Sequence, residues 1–146
     1  EMESANGVRL SDKLRHSDSF WTALWWTGFW RDLGHDSRSG LPLYLPEEDM
    51  ARFGVSPEMV MQRRFTPMLG SLVLHLVEET RSQFILGAPL IEEVRHPLRM
   101  ELAYALERNM TLLDRIEESG GNTLRICPEL TQKERFACLW RTLGRS

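Results

Sequence analysis

Leu98-Arg99-Met100-Glu101-Leu102-Ala103-Tyr104-Ala105-Leu106-Glu107-Arg108-Asn109-Met110-Thr111-Leu112-Leu113-Asp114-Arg115-Ile116 is the longest periodic run in the chain. Its apolar residues Leu98, Leu102, Ala105, Leu106, Met110, Leu113 and Ile116 recur at steps of three and four, which gathers them on one helical stripe. This is a core helix, and it should end before Gly120-Gly121. Upstream, Leu69, Leu72, Val73, Leu76 and Val77 make a second apolar face on a helix opened by Thr66-Pro67 and running to about Leu86, before Gly87-Ala88-Pro89. Ser56-Pro57 repeats the signal of an N-cap followed by proline. A short helix from Glu47 to Phe53 should stop at Gly54. Downstream, Thr131 to Glu134 matches the capping box T-x-x-E and opens a last helix through Phe136, Leu139 and Trp140 to Gly144. At the other end, Ser11 is read as the cap of a helix carrying Phe20, Leu24 and the tryptophans toward Asp36, after a poorly ordered lead-in over 1–10. Ser39-Gly40-Leu41-Pro42 breaks that helix. No segment alternates apolar and polar residues for long enough to argue a sheet, so the fold class is all-α.

At 146 residues the chain has the length of one domain with a real core. A net charge of −3, with no run of Lys and Arg, argues against a general nucleic-acid binder. Cys127 and Cys138 have no histidines at ligand spacing, so neither a disulfide framework nor a zinc site is signalled, and a reduced cytosolic compartment fits best. No stretch reaches the roughly 18 to 20 apolar residues of a membrane span. The opening Glu1-Met2-Glu3-Ser4 is no signal peptide, and its lack of an initiator Met suggests a truncated reading frame or a processed chain.

The chemistry concentrates in Thr22-Ala23-Leu24-Trp25-Trp26-Thr27-Gly28-Phe29-Trp30-Arg31-Asp32-Leu33-Gly34-His35-Asp36. Asp32 and Asp36 are four residues apart, so on a helix both carboxylates leave one face. Two such anions favour a hard cation between them, Mg²⁺ above all, which keeps waters and bridges to phosphates. Taken alone the pair is most often a solvated helix face. Here Trp25, Trp26, Phe29 and Trp30 make the helix apolar on nearly every side, which predicts burial and an enclosed pocket beside the aspartates. His35 reads as a surface or helix-end residue, His75 as core margin, Arg63-Arg64 as an exposed pair, and the cysteines as packing residues.

The run from Thr22 to Asp36, with Tyr44-Leu45-Pro46-Glu47-Glu48-Asp49 and Ala51-Arg52-Phe53-Gly54-Val55, resembles the second aspartate-rich motif of squalene/phytoene synthases and the segment that follows it. Gly87-Ala88-Pro89-Leu90-Ile91, Leu98-Arg99-Met100-Glu101-Leu102 and Leu112-Leu113-Asp114-Arg115-Ile116-Glu117 continue the likeness, which spans about Ser11 to Leu143 and is greatest toward the bacterial hopanoid-pathway, squalene-forming branch. The resemblance implies an isoprenoid-synthase helical bundle around a cavity, of which this chain is the C-terminal part, a partial bundle forming one domain over 1–146. It implies Mg²⁺ held by Asp32 and Asp36, both metal ligands and catalytic residues. Tyr44, Arg31 and Arg38 become residues near a prenyl diphosphate, expected to be farnesyl diphosphate, two of which condense head to head. NADPH use stays open. The implied partners are the prenyl diphosphate and a missing N-terminal half of the same fold, and the implied setting is cytoplasmic with peripheral contact at the inner face of the membrane.

Several positions depart from the family pattern. Trp25 stands where the family has Gln, Gly28 where it has Asn, and Arg31 where it has a second Gln. Glu107-Arg108-Asn109 occupies a place where small residues are usual. Upstream of Asp32 the acidic residues are Glu1, Glu3, Asp12 and Asp18, and none forms a second Asp-x-x-x-Asp pair. On these grounds the expectation is a transferase activity of a full-length parent that this chain does not perform alone. Two rivals stand beside it: a degenerate, non-catalytic scaffold or assembly protein, and a helical module whose aromatic cluster packs on another domain or chain.

Overall fold

The computed structural model describes residues 2–33 (side chains from Leu10 onward), 45–62, 65–122 and 130–144. Its order is α1 (Met2–Arg31), α2 (Glu47–Arg52), α3 (Pro57–Met61), α4 (Pro67–Gly87), α5 (Leu90–Glu93), α6 (Leu98–Glu118) and α7 (Gln132–Gly144). The described residues contain helices and no strand, an all-α bundle consistent with the isoprenoid-synthase type. Helix starts follow the caps in the sequence. The Ser56 hydroxyl accepts from Met59 N at 3.3 Å and the Thr66 hydroxyl from Leu69 N at 3.1 Å, each just ahead of a proline that has no N–H to leave unpaired. Thr131 Oγ1 accepts from Glu134 N at 3.2 Å and Glu134 Oε1 accepts from Thr131 N at 3.3 Å, the reciprocal capping box before α7. Stops fall at glycines with left-handed backbone: Gly54 at φ +69° and Gly120-Gly121 at +70° and +83°.

α1 packs along α4, and α6 closes on both while α7 packs on α6. The core runs through Phe20, Ala23 and Trp30 of α1, Leu69, Leu72, Val73, Leu76, Val77 and Phe84 of α4, and Leu102, Leu106, Leu113 and Ile116 of α6. The α1–α4 approach is closest where a Cβ on Gly87 would stand 2.6 Å from Phe20 N, and there Phe20 and Phe84 meet edge to face at 5.8 Å. From α4, Arg81 reaches Asp114 at 2.7 Å and Glu117 at 2.5 Å on α6, while also pairing with Glu78.

Two readings change. α1 has begun by Met2, so Ser11 is an interior residue and not a cap. The stripe of α6 is shifted: Leu98 is exposed, whereas Asn109 is buried and donates to Ala105 O at 2.7 Å. That bond to the preceding turn is what lets a polar side chain sit there. The single turn α5 had no periodic signal of its own. Of the cysteines, Cys138 is buried on α7 as a packing residue, and Cys127 lies outside the described residues.

Candidate functional site

The last two turns of α1 build an aromatic wall. Thr27 is buried and spends its hydroxyl on Ala23 O at 2.8 Å, so it asks for no outside partner. The Trp30 indole N–H donates to Thr80 Oγ1 at 2.9 Å, and Thr80 in turn donates to Leu76 O at 2.7 Å. This fixes Trp30 in the core. Phe29 then meets the Trp30 ring edge on at 5.3 Å, and Trp25 tilts against Phe29 at 6.4 Å. With Trp26 from α1, Leu45 and Pro46 from the segment before α2, and Leu76 and Glu79 from α4, these rings line a cleft of about 320 Å³. Its walls are apolar apart from Glu79, a setting that suits a hydrocarbon, and the exposed Trp25 leaves one side open to solvent.

A second depression of about 270 Å³ shares Trp25 and Phe29 with the first and is completed by Leu24, Gly28 and Asp32. Asp32 stands one residue past the end of α1, its N–H still bonded to Gly28 O at 3.0 Å. A helix C-terminus carries partial negative charge, so a carboxylate there is unfavourable unless a cation offsets it. Arg31 supplies one: its Nε and Nη2 donate to the two Asp32 oxygens at 2.9 and 3.0 Å, a bidentate fork. Both side chains are about two-fifths exposed, at 41% and 43%, so the pair contributes only on the order of 0–1 kcal/mol. As a hard oxygen donor on a cavity wall, Asp32 fits one corner of a Mg²⁺ site, although both oxygens are engaged by Arg31 in this arrangement.

The enclosed pocket expected around the aspartates is corrected. Trp25 is 75% exposed and the depression at Asp32 is open, because α1 has a core-facing side through Phe20, Ala23, Thr27 and Trp30 and nothing described covers the other. Asp36, Arg38 and Tyr44, and also His35 and the Arg63-Arg64 pair, lie outside the described residues. Of the expected site, then, the structure describes Asp32 and Arg31, and it brings them together.

One cluster was missed by the sequence reading. His75, taken there as core margin, faces Asp49 of α2 and Glu79 of α4, and one ligand atom from each of the three lies within 4.8 Å of the others. The His75–Glu79 spacing of four residues was visible on α4. That α2 would lay Asp49 against them was not.

A family model described as squalene/phytoene synthase matches residues 4–135. The chain belongs to the squalene/phytoene synthase family. Among curated proteins, the chloroplastic phytoene synthase of Narcissus pseudonarcissus is 27% identical over 120 residues, covering 82% of this chain and 28% of that protein. The chain thus spans less than a third of the length of this relative. No solved structure matches. Family membership makes the chain a relative of prenyl-condensing transferases. It also overturns one expected partner, the missing N-terminal half: the match begins at residue 4 and covers nearly the whole chain from near its N-terminus.

Proposed function

We propose that this chain binds a prenyl diphosphate for a head-to-head condensation of the squalene- or phytoene-forming kind, with farnesyl diphosphate as substrate and the squalene-forming, hopanoid-pathway branch as its setting. The observation that carries the reading is the aromatic cleft running, through shared Trp25 and Phe29, into the depression that ends at Asp32 and Arg31. The prenyl chain lies along Trp25, Trp26, Phe29 and Trp30, whose rings keep water from an allylic cation. Its diphosphate lies at the Asp32 end. Mg²⁺ held there by Asp32 and Asp36 would neutralise the departing diphosphate. Arg31 has the planar fork that suits a phosphate and is placed to turn from Asp32 to the substrate, with Arg38 and Tyr44 assigned nearby on resemblance. In the reaction the C–O bond breaks and its electron pair leaves with the diphosphate. The double bond of a second prenyl chain supplies the pair for the new carbon–carbon bond, and loss of a proton gives the cyclopropyl intermediate. A cytoplasmic location with peripheral contact at the inner face of the membrane suits such apolar products. No described helix is long and apolar enough to cross a membrane.

The test is binding of a non-ionisable farnesyl diphosphate analogue, read by quenching of the cleft tryptophans with and without Mg²⁺. Binding should weaken about tenfold or more in Asp32→Ala and in Asp36→Ala, the loss of one charge-assisted contact. Unchanged binding in both variants sinks the reading.

A second reading, a non-catalytic scaffold of the same family, is favoured by one specific arrangement. Asp32 is already satisfied by Arg31, and the ring of Trp25 stands exposed where the family carries a polar Gln. Mg²⁺-dependent product formation from farnesyl diphosphate by the intact protein refutes it.

A further inference from the structure

His75 and Glu79 stand one turn apart on α4, and α2 lays Asp49 against them, so a ring nitrogen and two carboxylate oxygens converge, and one of the three residues, Glu79, also lines the aromatic cleft. We propose that these three side chains bind a divalent cation of the zinc class, at a site separate from Asp32. His75 Nε2 lies 3.1 Å from Glu79 Oε1 and 3.8 Å from Asp49 Oδ1. Two donors about 2.1 Å from one tetrahedral ion stand about 3.4 Å apart, between those two separations.

The state of the imidazole points the same way. His75 Nε2 is buried and makes no hydrogen bond, since Glu79 Oε1 comes near it without hydrogen-bond geometry. A buried ring nitrogen that makes no hydrogen bond yet faces two carboxylates at ion-pair distance would be satisfied by a cation bound to all three. Phe53 packs on the imidazole with ring centroids 5.3 Å apart, which restricts the ring to this side of α4. The donor set also selects among ions. One imidazole with two carboxylates suits zinc and its first-row neighbours, whereas Mg²⁺ prefers oxygen donors and retained water. Three protein donors leave a fourth position open. Because Glu79 lines the cleft as well, that position is available to an oxygen ligand held at the cleft mouth.

Co²⁺ is the probe, because its visible d–d absorption reports the ligand shell directly. Titration of the whole chain should give one Co²⁺ per chain with a band that stoichiometric Zn²⁺ displaces and excess Mg²⁺ does not. Glu79→Gln, at a half-exposed position, and His75→Gln should each lower Co²⁺ affinity by more than about tenfold, a loss that even outer-shell changes can produce. Circular dichroism checks that helix content is kept. Asp32→Asn should leave the band unchanged. Absence of a band in the wild type, a band that survives both substitutions, or displacement by Mg²⁺ overturns the site. The result does not depend on the prenyl reading: a chain that binds Co²⁺ here and no farnesyl analogue loses only that reading.

Discussion

Thr80 carries two obligations in one hydroxyl: it accepts from the Trp30 indole and donates to Leu76 O in the turn below, with no surface exposed. Thr80→Val keeps the shape and leaves the buried Trp30 N–H without an acceptor, at a cost of about 1–3 kcal/mol. Chemical denaturation should register that loss, and Thr80→Ser, which restores the acceptor, should recover most of it. Equal losses in both variants would mean that packing, not the hydrogen bond, holds Trp30. The consequence reaches the cleft, because Trp30 is the fixed member of the aromatic wall against which Phe29 and then Trp25 rest. At Asp32 the balance differs. Its ion pair with Arg31 is open to water, so its removal should change ligand binding far more than stability.

Between elements, the α1–α4 contact depends on an absent side chain. A Cβ on Gly87 would meet Phe20 N at 2.6 Å and Phe20 Cα at 2.8 Å, and backbone cannot swing aside as a flexible side chain could. Gly87→Ala should therefore force α1 away from α4 and lower stability by about 1–3 kcal/mol despite the better helix propensity of alanine. A thermal melt unchanged from wild type would show that the helices yield at no cost. The α6–α7 junction makes a prediction in pH. Partial burial of the Glu134 carboxyl works to raise its pKa. Hydrogen bonds from the Thr131 amide and hydroxyl, with Arg115 of α6, outweigh this and hold it below the usual 4.5. A depressed folded pKa means stability present above the unfolded value and lost as pH falls through the folded one. The melting temperature should thus decline as pH drops below about 4.5, and Glu134→Gln should remove that part of the decline. Much of this was legible locally: Thr131 and Glu134, Ser56-Pro57, Thr66-Pro67 and the glycine stops are settled within a few residues of chain. What was not legible depends on pairs far apart in sequence. Phe20 against Gly87 and Asp49 against His75 exist only once helices are packed, and Asn109, noted only as a departure from small residues, is buried because Ala105 O satisfies it.

At the scale of the whole molecule the distribution of apolar surface differs from that of a finished bundle. The core side of α1 is filled, while Leu10, Leu14, Trp21 and Trp25 run exposed along its length at steps of four and seven. On α7, Phe136, Leu139, Trp140 and Leu143 make a second exposed stripe, although Cys138 and Thr142 on the opposite side are buried. Single exposed apolar residues are ordinary, but two aligned rows that include large aromatics are a surface that water covers poorly. The family match does not account for these rows: Trp25 stands where the family has Gln, and the α7 row lies beyond the matched residues 4–135. The chain on its own should therefore bind ANS and grow in apparent size with concentration in analytical ultracentrifugation. Leu14→Gln combined with Trp21→Gln is the discriminating variant, because neither residue lines the cleft or the Asp32 depression. It should lower dye binding and self-association together while leaving the farnesyl-analogue affinity in place. A wild-type chain that stays monomeric and dye-free would mean that α1 shields these rings in solution. A double variant that also loses the analogue would mean that the stripe and the cleft are one surface, held in shape by the same helix.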